Sequence, residues 1–252
     1  MCIILSSVKK VANTKIYVSP DKENKRQLTV YSNEVATEDE NAMILPVPNP
    51  ESVELLDLSN YPKFFEDCEA CFTRVPTLGL RSALSHNAYA SLLPVVQVGS
   101  YLASIVPSLY DFSRVNRDVF DYGDDLIRVL EQNYREGFGF ILCVLKKGNH
   151  TYHPFAYTHD MMRPNRLFIP TRHYHPGENY SSADWDHIIY SPITELNNTR
   201  EVKFRDTSSI QWKKLPESYR WAYSVPLCRW EMEGEWKNID LQPESYYRKS
   251  IY

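Results

Sequence analysis

The stretch "FIPTRHYHPGENYSSADWDHIIY" places His173, His175 and His187 close together, and with His150, His153 and His159 six of the chain's seven histidines lie between residues 150 and 187. Imidazole both exchanges a proton near neutral pH and ligates transition metals. The concentration therefore raises two chemistries, a metal centre and an acid/base centre. A third reading is plainer: histidines that bond backbone carbonyls or line a polar turn.

Clustering in sequence becomes a site only if folding brings the rings together. The segment reads as a meander in which "HTYHPFAYT", "RLFIPTRHYH" and "WDHIIYSP" are strands and "HDMMRPNR" and "PGENYSSAD" are turns. Opposed residues of an antiparallel pair have numbers that sum to a constant, so a turn near residue 163 gives a sum of about 326 and sets His153 against His173. A turn near residue 181 gives a sum of about 362 and sets His187 against His175. His173 and His175, two apart on one strand, share a face at about 6.6 Å along the rise. The expected centre is thus His153, His173, His175 and His187, with Asp186 completing or orienting the shell. Such a donor set suits Zn, Fe, Mn or Ni at roughly 2.0–2.2 Å and would support hydrolytic or oxygen chemistry through metal-bound water. His159 would lie about 20 Å from His153 along a straight strand and is left out. Pro154 and Pro170 fall inside the proposed strands, where a missing N–H confines proline to an edge, a bulge or an interruption.

Cys2 offers a different chemistry. Removal of Met1 would leave a thiol beside a free α-amine of pKa about 7.7–8.0, a nucleophile with its own base. "CIILSS" resembles the opening of N-terminal-cysteine amidohydrolases, which makes Cys2 a candidate catalytic residue. "CEAC", Cys68 to Cys71, has the spacing of a redox or zinc pair, but it lies on an apolar helical face with Phe64, Phe65 and Phe72 and reads as core. Trp185, Trp212, Trp221, Trp230 and Trp236 stand late in the chain and read as packing of a further sheet layer, with an aromatic groove as the functional alternative.

Whole-chain numbers bound these possibilities. With 252 residues, 43% of them hydrophobic and 24% charged, the chain can bury a substantial core. A net charge of −4 gives no long-range attraction to phosphate backbones, so no nucleic-acid partner is expected; a protein partner or a homo-oligomer is compatible. No apolar run reaches the roughly 20 residues of a membrane span, so integral membrane association is not expected. "MCIILSSVKK" lacks a basic region before its short apolar run, and five scattered cysteines form no disulfide framework. The expected location is cytoplasmic.

The elements that must position these residues read as one α+β domain over residues 1–252, mainly antiparallel β-meanders with two or three helices packed on the sheet. An N-terminal meander occupies 1–50, with the polar turn "SPDKENKR" joining two antiparallel strands. A strand–helix–strand unit spans 92–145, its helix "DYGDDLIRVLEQNYREG" placing Leu126, Val129, Leu130 and Asn133/Tyr134 on one face and stopping at Gly137. The His-rich meander at 150–191 and a Trp-rich C-terminal layer at 202–236 complete the chain.

The order of Cys2 in "CIILSS", "RQLTVYSNEV…NAMILPVPNP", "VQVGSYLASIVPS" and "GFGFILCVL" resembles an uncharacterised bacterial family of domains of unknown function over roughly the first 145 residues. The resemblance implies a compact α+β domain. It brings no activity, substrate, cofactor or catalytic residue with it.

Overall fold

The computed structural model describes residues 3–72 except 22 and 24, 92–176, 181–192, 205, 207–222 and 227–243. The elements are β1 (Ile3–Ile4), β2 (Lys10–Asp21), β3 (Arg26–Thr37), β4 (Asn41–Pro48), β5 (Glu54–Leu56), α1 (Phe64–Ala70), β6 (Val95–Val98), β7 (Tyr101–Val106), α2 (Asp124–Asn133), β8 (Phe138–Leu145), β9 (Gly148–Thr151), β10 (Phe155–Asp160), β11 (Ser182–Ser191) and β12 (Cys228–Lys237). Four short 3-10 segments lie between them, the longer two at Leu109–Arg114 and Glu217–Ala222.

The strands form two sheets. One has the order β1-β4-β8-β7-β6, all antiparallel. The other has the order β12-β11-β2-β3-β10-β5, with β9 pairing along β3 beyond the end of β10. Its β11–β2 contact is parallel. The fold is therefore α+β but dominated by its sheets, which lie face to face.

Sequence alternation explains this. On β4 and β8, Met43, Leu45, Val47, Ile141, Cys143 and Leu145 point inward to meet Ile16, Val18, Tyr31, Tyr157, Trp185, Ile189 and Trp230 of the second sheet. Ala42, Ile44, Phe140 and Leu142 point the other way, under Leu126 and Leu130 of α2 with Phe112, Phe120 and Tyr134. On the far side, Tyr17, Leu28, Val30 and Tyr190 lie under Phe64, Phe65 and Cys68 of α1. Both faces of each sheet are covered, which is why β4 is buried at every position. Each fully buried aliphatic or aromatic side chain contributes about 1.5–3 kcal/mol. Trp185 and Trp230 belong to the central core, as the packing reading of the tryptophans requires.

Of the strands expected in the N-terminal meander, β2 and β3 pair antiparallel, Asp21 with Arg26 across the turn and Lys10 with Ala36 at the far end, whereas β1 and β4 pair with each other in the other sheet. "NAMILPVP" and "FGFILCVL" are β4 and β8 without change of boundary. The second helix ends at Asn133, earlier than the sequence suggests, because Tyr134 turns extended to bury its ring. Gly137, at φ 87°, is used in the turn that enters β8.

The His-rich meander is where the expectation and the fold part. "HTYHPFAYT" is broken by Pro154 into β9 and β10. β10 pairs with β3 and β5, and β11 with β12 and β2, so neither hairpin of the expected meander forms. The segment "RLFIPTRHYH" is extended but joins no ladder among the described residues, making the isolated bridges Arg166 to Arg163, Ile169 to Leu241 and Tyr174 to Ile3. No described helix is long and apolar enough to cross a membrane.

Candidate functional site

The failed register redistributes the predicted ligands. His173 and His175 do converge: they project from one side of the extended segment and their Nε2 atoms lie 3.1 Å apart. His153 is not opposite them. It is held by the β6–β7 turn, its Nε2 accepting the Ser100 N–H at 2.9 Å and its Nδ1 donating to the Pro154 carbonyl at 3.0 Å. With both ring nitrogens used and its ring edge-on to Tyr101, it is a structural residue. Gly99, at φ 59°, makes the turn possible, because a Cβ there would collide with the His153 ring.

His187 sits on β11 opposite Met232, buried and tilted over Trp185 at 4.7 Å between ring centroids. Asp186 points to the other face and accepts the Asn13 N–H at 2.6 Å. Asn13, at φ 53°, lies where the β2 register shifts between Ala12 and Lys15, so its N–H leaves the ladder and Asp186 supplies the missing acceptor. Among the described residues, no group of three or more His, Cys, Asp or Glu side chains could hold one ion. The expected donor set of His153, His173, His175, His187 and Asp186 is thus dispersed, with only His173 and His175 together. Its physical cause is the choice of partners by β10 and β11.

The His173–His175 segment owes its position to side chains. Asp240 Oδ1 accepts the N–H of Thr171 at 3.0 Å and of Arg172 at 2.9 Å, and its Oδ2 accepts the Tyr134 hydroxyl at 2.7 Å. Asn238 bonds both backbone groups of His173, at 2.7 Å and 2.8 Å, while Thr171 Oγ1 donates to the Ile239 carbonyl at 2.8 Å. Gln27 does the same for both backbone groups of Phe168, at 2.8 Å and 2.6 Å. Burial pushes the imidazolium forms out: His173 is lowered to about 3, by desolvation and then by the neighbouring His175, and His175 to about 4, by desolvation. Both rings are neutral and carry lone pairs at physiological pH.

Cys2 lies outside the described residues. Of the described cysteines, burial pushes the thiol of Cys68 well up and that of Cys228 to about 12, so neither is a poised nucleophile. Cys71 Sγ lies 3.3 Å from the Asp67 carbonyl.

A cavity of about 230 Å³ opens beside the end of β10, lined by His159, Met161, Arg163, Arg166, Phe168 and Gln242 among others. Sequence reasoning set His159 aside for its distance along the strand and missed this place. The available signal was the turn "MMRPNR", whose two methionines and two arginines are unusual company in a polar loop.

The architecture, two stacked sheets with helical elements on both outer faces, has counterparts among solved proteins. A mutated baculovirus P35 after caspase cleavage matches over 93% of this chain and 100% of that one, with a TM-score of 0.52 and 13% identity. The P35 chain of a caspase-8/P35 complex matches over 94% of this chain and 92% of that one, with a TM-score of 0.45 and 13% identity. No family model matches the sequence. At this identity the likeness concerns the fold.

Proposed function

We propose that this chain is a non-enzymatic interaction protein that works by binding a protein partner, with a caspase-type protease as the first candidate. The observation that carries the reading is the shared fold over 93% of this chain and all of a P35 that had met a caspase. A shared fold supports a shared kind of partner by analogy. Cys68 and Cys228, buried and outside any disulfide, agree with action in a reducing compartment, the cytoplasm. The test mixes the purified full chain with a panel of active caspases and follows complex formation by size-exclusion chromatography and residual peptidase activity. Co-elution of the chain, intact or cut, with at least one caspase and loss of that caspase's activity is the expected result. Separate elution at micromolar concentrations with undiminished peptidase activity across the panel would overturn it.

A second reading keeps the metal chemistry on a smaller base. We propose His173 and His175 as a two-imidazole clasp for Zn, Fe, Mn or Ni, supported by their 3.1 Å Nε2 separation, which suits two lone pairs aimed at one ion. Adding Zn²⁺ should raise the melting temperature of the protein, and His175→Ala, a change at a partly exposed position, should abolish that rise. Less than about 0.2 metal per chain at saturating Zn²⁺, with no stabilisation, sinks this reading.

A further inference from the structure

The turn after β10 reads "MMRPNR", and Met162, Arg163 and Arg166 from it line the 230 Å³ cavity on its solvent side. Met162 is 43% exposed, one of four large hydrophobic side chains left exposed among the described residues. A Cβ at Gly137 would lie 3.4 Å from its methyl, so the methyl stands beside the next residue, Phe138, which is half-buried and lines the same cavity. Met161 and Phe168 are buried beneath them, and Phe168 meets Phe138 at 5.3 Å between ring centroids. The apolar surface open to a ligand is therefore a slot between Phe138 and Met162 with a closed floor.

Beside the slot stands an uncommitted cation. Arg163 is exposed and enters no ion pair among the described residues. Asp160, the acid nearest to it in the chain, faces Arg26 at 3.5 Å instead. The turn carrying Arg163 closes through the Arg166 N–H to the Arg163 carbonyl at 3.2 Å, with Asn165 at φ 61°, so the backbone fixes where the arginine leaves the rim. At about 230 Å³ the cavity falls below the range of roughly 300–1,000 Å³ that takes a drug-sized ligand. Its size suits a single apolar side chain, the kind of anchor on which protein interfaces concentrate their binding energy. Methionine in the wall adapts to the shape of such an anchor.

We infer that this slot docks a segment of the protein partner that inserts one aliphatic side chain between Phe138 and Met162 and sets a neighbouring carboxylate against the Arg163 guanidinium. The inference rests on the reading of this chain as a partner-binding protein, and says where and by what chemistry the partner is held. With a net charge of −4 the molecule as a whole does not attract acidic segments, so the acid is selected at contact, by Arg163. Burial of the aliphatic side chain supplies most of the affinity and the exposed ion pair a smaller share.

The test follows the methionine methyl resonances of the full chain, labelled with carbon-13, during titration with the acetylated, amidated hexapeptide Gly-Ser-Leu-Glu-Ser-Gly. The Met162 methyl should move while those of Met43 and Met232, in the core between the sheets, stay in place. Serine in place of the leucine should weaken binding about tenfold, and glutamine in place of the glutamate about threefold. Arg163→Glu, at an exposed position, should erase the preference for glutamate over glutamine, and Arg163→Lys should keep most of it. A stationary Met162 methyl, equal affinity for the leucine and serine peptides, or equal affinity for the glutamate and glutamine peptides would overturn the assignment. So would free hexanoate binding as tightly as the peptide, because the slot would then be a site for a small acid. The two readings fail separately. A caspase that co-elutes with the chain while the peptide leaves Met162 unmoved sinks the slot and keeps the partner-binding reading; a peptide preference that Arg163→Glu erases, in a chain that binds no caspase, keeps the slot and removes only that candidate partner.

Discussion

Between pH 6.5 and pH 4 the stability of the folded protein should fall by about 3 kcal/mol through His159 alone, taking 1.36 kcal/mol for each pH unit between the two values. In the unfolded chain this imidazole takes up a proton near its ordinary value of 6.5; in the folded chain it does so only near 4. Between those values the unfolded state binds more protons, so stability is present above pH 6.5, is lost as pH falls, and stops falling below 4. Three features set the folded value: burial, which lowers it; the bond to the Asp160 carbonyl, which raises it; and the Arg26 guanidinium, which lowers it further. Arg26 also faces the Asp160 carboxylate at 3.5 Å, which keeps that charge engaged away from the ring.

The measurement is denaturant unfolding at several pH values for the unmutated protein and His159→Asn. Asparagine keeps an N–H near the position of Nδ1 and cannot become charged. The other buried histidines are present in both proteins and cancel in the difference. A stability difference that does not change with pH over this interval would show that the ring is solvated or charged in the folded state.

Asp240→Ala should cost about 3–5 kcal/mol, the range for removing one member of a buried, charge-bearing network. Asp240 holds the backbone of Thr171 and Arg172 and the hydroxyl of Tyr134, so truncation leaves two N–H groups and a phenol without their acceptor. The Arg172 guanidinium, 3.8 Å from the carboxylate, loses its counter-charge as well. Burial raises the Asp240 pKa, and the Tyr134 bond leads the contacts that oppose the rise, so the carboxylate depends on these donors. Asp240→Asn retains an oxygen for the two amides and should cost about half as much.

Amide hydrogen exchange supplies a local check. Thr171, Arg172 and His173 should lose protection in Asp240→Ala beyond what the global destabilisation explains, because residues 169–174 have side-chain anchors where a strand would have a ladder. Loss of protection spread evenly over the chain would show that the anchors hold nothing locally. The convergence of His173 and His175 should go with it. Their ring resonances should become those of exposed histidines.

Much of the strand pattern could be read from the chain because it rests on local rules. The β2–β3 hairpin follows from a polar turn between alternating apolar runs, and β4 and β8 from continuous apolar runs buried on both faces. The pairing of His173 with His175 followed from the two-residue period of extended backbone, which holds even where no ladder forms. The same rules put Trp185 and Trp230 into a packed layer.

What could not be read was which strands meet. β10 could pair with the segment after it or with β3, more than a hundred residues earlier, and nothing within β10 distinguishes them. Asp186 looked like a metal ligand because its role, closing the bulge at Asn13, depends on a parallel neighbour far away in sequence. Asp240 and Asn238 carry no signal in the sequence because their chemistry is to replace a missing strand. The sequence by itself determined the elements, their inward and outward faces and the composition of the cores, since side-chain alternation and turn chemistry act over a few residues. The tertiary structure alone decided that six clustered histidines would be divided between strand β9, a turn, a cavity, a buried tryptophan neighbour and a single converging pair. Contacts between distant strands are chosen by the joint burial of all the faces, and that sum is not written in any one segment.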